Sequence, residues 1–200
     1  MSQWENSGWG LPVTPEVTEE EIVPDDDLLD TEITGPDGPI PGVTPPRHAH
    51  QLPILSLPPR NNGVVWWVST HGGSGASTLA ALDGAPDAVH GWPTHPDGQD
   101  VVLVARRSAI GLTAAMRAMT HYASGEIPGV NIVGVVIVPT HKGKTHPEIT
   151  RLLTLTRGVA PRIWETDFHP DYLAHLDPHQ APASKQDRRL IKTIHTITKG

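Results

Sequence analysis

The sequence predicts an α/β fold, a small parallel sheet of about four strands with flanking helices. Three observations predict it. Short apolar, β-rich runs recur at residues 64–68, 101–105, 131–138 and 161–165, as strands buried on both faces require. Helical patterns stand between and after them. Glycine and proline punctuate each change of pattern. Strand alternating with helix implies parallel pairing through right-handed crossovers.

With 200 residues the chain has room for one domain of ordinary size and a tail. Hydrophobic residues make up 37% and aromatics 4%, thin for a chain folded throughout, and the 21 prolines point the same way. No apolar run approaches the roughly 18 residues that cross a bilayer, and no basic-then-apolar leader opens the chain. Cysteine is absent, which excludes disulfides and thiolate metal sites and fits a cytoplasmic setting.

Residues 1–60 are expected as a disordered, proline-rich acidic arm, and residues 61–200 as the folded domain. The arm holds 11 of the 21 prolines, with 11 Asp and Glu against 2 Lys and Arg. Its acids cluster at Glu19-Glu20-Glu21 and Asp25-Asp26-Asp27, and its turn residues interrupt any apolar period. It reads as a solvated leader, or as a tether presenting short motifs to a protein partner: around Trp4 and Trp9, at Glu21-Ile22-Val23 and Leu28-Leu29 beside the acids, or at residues 52–57. The 52–57 run lies next to the domain and is a candidate to add an edge strand or cover an apolar groove. Residues 61–200 carry 11 acids and 13 Lys and Arg, so the domain is close to neutral and nucleic-acid binding has weak support.

In order, residues 64–68 suit a central parallel strand. The helix that starts near Leu79 is short, because Gly84 and Pro86 stop it. Residues 88–98 carry turn chemistry throughout and are expected as a loop. After the 101–105 strand, residues 111–123 place Leu112, Ala115, Met116 and Met119 on one helical face. Residues 131–138 form the third strand. Pro147 opens a helix that Gly158 closes. A short strand at 161–165 follows, then an irregular stretch over 169–184. Residues 185–198 form a last helix with Leu190, Ile191, Ile194 and Ile197 on one face.

The functional candidate lies between the first strand and first helix: His71, Gly72, Gly73, Ser74, Gly75, Ala76, Ser77 and Thr78. Glycines let backbone N–H groups converge on an anion without Cβ interference. The following helix would point its positive dipole end at the same place. Other polar groups at expected strand ends are Arg106, Arg107, residues 140–144 and residues 166–169, where open parallel sheets bind ligands.

These residues resemble the deviant phosphate loop of the MinD/ParA branch of P-loop NTPases, of the form Lys-Gly-Gly-x-Gly-Lys-Thr/Ser-Thr. Every glycine and both hydroxyls match, but His71 and Ala76 replace the two lysines. Residues 61–180 are more closely similar to an uncharacterised actinobacterial family of reduced MinD/ParA-like proteins, often found near mobile or phage-like elements. Trp66-Trp67-Val68, His90-x-Trp92-Pro93, residues 102–106 and Pro161-Arg162-x-Trp164 carry that likeness. The resemblance implies a P-loop NTPase-like fold and ATP with magnesium as cofactor. It also implies an acid acting through magnesium at a strand end between the loop helix and residue 101. Those residues are loop-like, so that acid and the switch regions are expected to be missing. Without lysine and metal-side acid, efficient hydrolysis is not expected, because phosphoryl transfer depends on charge neutralisation. The expectation is a non-hydrolytic adaptor or regulatory module. Its glycines mark an inherited turn or a surviving anion cradle, with His71, Arg106, Arg107, Lys142 and Lys144 as candidate charges. A weak ATPase completed by a partner and a DNA-associated accessory protein are the alternatives.

His90 and His95 flank Trp92-Pro93 beside Asp97 and Asp100, but loop packing is the simpler reading than a metal site, which needs three or four convergent ligands. Trp66 and Trp67 are expected on opposite sheet faces. The last helix carries Lys185, Arg188, Arg189, Lys192 and Lys199. It is expected to pack its isoleucines on the sheet, with a membrane-surface role as the alternative.

Overall fold

The computed structural model describes residues 35–56, 64–170, 172, 177, 180 and 182–199. Among the described residues, six strands and four α-helices run in the order β1 (Ile54–Ser56), β2 (Trp66–Ser69), α1 (Ala76–Asp83), β3 (Trp92–Thr94), β4 (Asp100–Arg106), α2 (Ala109–Ala123), β5 (Asn131–Val138), α3 (Pro147–Val159), β6 (Ile163–Glu165) and α4 (Lys185–Thr198). The four expected strands form one parallel sheet in the order β2-β4-β5-β6. The fold is therefore α/β with a parallel sheet, as the apolar runs require.

Alternation along the strands divides the core between two faces. Trp66, Val68, Leu103, Val135 and Ile137 face one side with Leu112 and Met119 of α2 and Leu153 of α3. Val65, Trp67, Val102, Val104 and Val136 face the other with Leu79 of α1 and Leu190 and Ile194 of α4. The adjacent tryptophans thus fall on opposite faces. Each indole finds a partner: Trp66 Nε1 donates to Gln99 Oε1 at 2.8 Å, and Trp67 Nε1 to Asp83 Oδ2 at 2.8 Å. The register slips by one residue in β5, where Val101 pairs Ile132 and Val102 pairs Gly134. Gly134 there makes room for the Trp164 ring.

The last helix is pinned from both ends. A capping box joins Ser184 and Asp187 at its start. At its far end His195 Nε2 lies 2.5 Å from Asp83 Oδ1, the same carboxylate that accepts from Trp67. Leu190 and Ile194 are fully buried against the sheet.

Two expectations need correction. Residues 35–56 were expected within a disordered arm that ended at residue 60. They instead lie along the domain. Ile40 N–H donates to Ala123 O at 2.8 Å, the Tyr122 hydroxyl donates to Asp37 O at 3.1 Å, and Leu52 is buried in the core. Residues 1–34 and 57–60, the rest of that arm, lie outside the described residues. The second correction is that residues 88–98 are not all loop. β3 pairs in parallel with β1, Ile54 opposite Trp92, in a separate two-stranded sheet. The 52–57 run therefore does supply a strand, but not to an edge of the main sheet. Trp92, fully buried, draws both segments onto the core. Pro93 is tolerated because a two-stranded sheet consists only of edges.

Candidate functional site

The loop from β2 to α1 crosses the carboxyl edge of the sheet. Its entry is tied to β4, because Thr70 donates to Val104 O through both its N–H (3.1 Å) and its hydroxyl (2.9 Å). The buried Ser74 braces the interior. Its hydroxyl donates to Ser69 Oγ at 2.9 Å and accepts from Ala76 N–H at 3.2 Å. Gly73 and Gly75 take left-handed backbone conformations, φ 73° and 98°, that side chains disfavour. Gly75 caps α1 without any side-chain acceptor. Among the described residues, no acceptor meets the N–H groups of Gly75, Ser77 or Thr78. These are the orphan donors of a helix start, held together by a glycine turn.

The two positions that lack lysine have different structural roles. His71 is part of the frame. Its Nε2 accepts from Arg106 N–H at 3.1 Å, and its Nδ1 lies 2.9 Å from Gly72 O. A backbone N–H only donates and a carbonyl only accepts, so the proton sits on Nδ1 and the ring is neutral in this arrangement. Gly111 at the start of α2 is required for this contact, since a Cβ there would stand 2.9 Å from His71 Nε2. Ala76 is 2% exposed and belongs to the apolar cluster with Val65, Trp67 and Leu79. It contributes packing and no charge.

Arg106 supplies the cation. Its Nε donates to Gly73 O at 2.8 Å, and its Nη1 lies 3.5 Å from Pro139 O, so it straps the glycine loop to the end of β5. Burial pushes its pKa below the ordinary arginine value, yet a guanidinium stays charged in proteins. Arg107 points elsewhere. It pairs with Glu165 at 3.1 Å, and Arg157 meets the same carboxylate at 3.3 Å. Lys142 lies on the exposed 140–146 loop beside the outer cleft, and Lys144 follows on the same loop.

Two neighbouring spaces lie beside the loop. The inner one, between Gly75, Thr78, Arg106 and Tyr172, has a volume of about 30 Å³, room for one water. The outer cleft, beyond the carboxyl ends of β5 and β6, measures about 630 Å³, in the range of small-molecule sites. Residues 166–169 line both, so the two lie side by side. Arg107, His141 and Lys142 put positive or titratable groups on the outer wall, while Glu165 and Asp167 oppose an anion there.

One residue escaped the sequence reading. Asp87 accepts from the Ser77 hydroxyl at 2.5 Å and from Val89 N–H at 2.6 Å. Residues 86–89 run beside β2, with Ala88 N–H donating to Trp67 O at 3.0 Å and Ser69 N–H to Val89 O at 3.1 Å. Val89 reaches this path with φ 56°. An acid therefore does stand against the helix-start hydroxyl on the open side of β2, where the sequence suggested a deletion. Its only sequence signal is an aspartate closely following Pro86.

The magnesium implied by the resemblance fits these residues poorly. Both Asp87 oxygens are engaged by Ser77 and Val89. Among the described residues no three His, Asp or Glu side chains converge, so a magnesium here would take most of its ligands from phosphate and water. The other histidine candidates disperse. His90 Nδ1 meets Ser69 O at 2.9 Å, His95 lies 3.4 Å from Asp97, and Asp100 accepts from Asn131. Among the described residues no helix is long and apolar enough to cross a membrane. No family model, curated protein or solved structure matches the chain, and what the loop can do follows from its own geometry.

Proposed function

We propose that the chain is a non-hydrolysing regulatory or adaptor module of P-loop NTPase-like, MinD/ParA-like character. It takes a phosphate group, free or on a nucleotide, at the glycine loop and passes its occupancy to a protein partner. The observation that carries this reading is the set of unsatisfied N–H groups at Gly75, Ser77 and Thr78 beside the Arg106 guanidinium. Backbone donors at a helix start and one fixed cation suffice to bind an anion. They do not suffice to split a phosphoanhydride. Ala76 brings no ammonium, His71 is spent on Arg106, and among the described residues no cluster of three carboxylates or histidines adjoins the loop. Lack of cysteine is compatible with work in the cytoplasm.

The test is an amide NMR titration of the full chain with inorganic phosphate and with ATP, each with and without magnesium. The expected result is saturable shifts confined to residues 72–78 and Arg106, indifferent to magnesium, with no release of ADP. No shift at millimolar ligand would leave the glycines as a turn and sink the proposal. Steady ADP release would favour the weak-ATPase alternative instead.

A further inference from the structure

The exposed face of α4, together with its C-cap Lys199, carries a positive stripe that is interrupted between Lys192 and Lys199. Lys185, Arg188, Arg189, Lys192 and Lys199 recur at helical spacing and are all exposed. The only acid on the helix, Asp187, is fully buried and turned to the capping box and Tyr172. None of the five cations has a carboxylate partner among the described residues; Arg188 donates only to Ala183 O, at 3.0 Å. A stripe of like charges over about 20 Å of helix repels itself and favours a polyanion along it.

The chain supplies one. Residues 1–34 hold ten Asp and Glu and no Lys, Arg or His. The described chain emerges from this segment at the right place. Gly35 presses on the Ala160 carbonyl, and Asp37 lines a cavity together with Ile197 and Thr198, the last turn of α4. The acids closest to that exit are Glu32 and Asp30. Asp25-Asp26-Asp27 and Glu19-Glu20-Glu21 follow at increasing distance. A segment as long as residues 19–34 spans up to about 50 Å when extended, against about 21 Å for α4, so reach is not limiting.

We infer that residues 16–32 of this chain dock along the basic stripe of α4. The acids nearest the exit meet Lys199, and the more distant clusters meet Lys192, Arg188, Arg189 and Lys185. The contact covers this strongly charged helix face and withholds it from other polyanions. It does not depend on anion binding at the glycine loop. Exposed ion pairs are screened within about 10 Å at 0.1 M salt, so the docking is reversible and sensitive to salt.

Because the chain lacks cysteine, Thr18→Cys offers a single point for a nitroxide label on the full-length protein. Paramagnetic broadening of amide signals is then read residue by residue at low salt. The expected result is broadening over residues 185–192 several-fold stronger than on the exposed face of α3. It should vanish both in high salt and in the Arg188→Glu, Arg189→Glu, Lys192→Glu variant. The salt arm needs no substitution in α4, so a folding defect cannot mask the answer. Broadening no greater on α4 than on α3, or unchanged by salt, overturns the inference. So does a DNA duplex or an anionic lipid vesicle that binds α4 equally well whether the leader is intact or has Glu19, Glu20 and Glu21 replaced by Gln and Asp25, Asp26 and Asp27 by Asn.

Discussion

At the scale of single residues, Arg106 joins the structure of the loop to its charge. Lysine at this position would keep the charge but cannot reproduce both the Nε contact to Gly73 O and the Nη1 contact to Pro139 O. Arg106→Lys is expected to lower stability by about 1–2 kcal/mol, the net worth of such charge-assisted bonds at a half-exposed site, and to weaken phosphate binding. Urea unfolding at constant m-value checks the first part, and an unchanged midpoint would mean the strap is ornamental. A second residue-scale prediction concerns pH. The buried His121 Nδ1 accepts from Trp92 Nε1–H at 3.3 Å, so the ring is neutral with its proton on Nε2, toward Glu126. Burial holds its pKa below the ordinary histidine value, His48 adds to the depression and Glu126 opposes it. The unfolded chain therefore binds this proton first. The stability that neutral His121 contributes is present above about pH 6.5 and is lost as pH falls through that value toward the folded-state pKa. His121→Gln can still accept from Trp92 but does not titrate, so its melting temperature should fall less than the parent's between neutral and mildly acidic pH.

At the scale of elements, what was legible in the sequence was whatever announces itself by composition. Val101 to Ala105 and residues 131–138 read as strands because burial on both faces demands unbroken apolar runs. The glycine loop read as a turn because glycine takes the φ values at positions 73 and 75 far more readily than residues with a side chain. β1 and β3 were not legible in this way. Each is three residues long, one contains proline, and their reason for pairing is the burial of Trp92, a tertiary fact. Asp87 was hidden for the same reason, since nothing local says that residues 86–89 turn back alongside β2. Gly134 lay inside an apolar run and gave no hint of its partner. A Cβ there would stand 2.4 Å from Trp164 Cζ3 and 3.0 Å from Arg162 O. The indole is 1% exposed and has nowhere to go. Gly134→Ala is thus expected to cost about 1–3 kcal/mol despite alanine's ordinary tolerance in strands, the usual scale for overpacking. Thermal unfolding of the variant tests this, and an unaltered transition would show that β5 and β6 can separate freely.

At the scale of the whole molecule, the boundary of the folded unit differs from the one composition suggests. The charge and proline gradients place it near residue 60, yet contacts place residues 35–56 with the domain. Proline-rich segments look unstructured in sequence because they lack period, but a chain laid across a surface needs no period, only anchors. Here the anchors are Leu52 in the core, the Ile40 and Asp37 hydrogen bonds to the end of α2, and β1 against β3. Gly91 shows how close the approach is, for a Cβ there would lie 2.5 Å from the Leu55 side chain. Losing Leu52 alone resembles a large-to-small core substitution, about 2–5 kcal/mol, and a domain of this size has only about 5–15 kcal/mol in all. Two shortened chains therefore separate the boundaries. One beginning at residue 35 should unfold at nearly the parent's denaturant midpoint, because the leader's ion pairs are exposed and individually weak. One beginning at residue 61 leaves the pocket for Leu52 open and β3 without a partner. It should lose several kcal/mol and expose Trp92 to solvent. Equal midpoints for the two would return the boundary to residue 60 and reduce residues 35–56 to a loosely held strap.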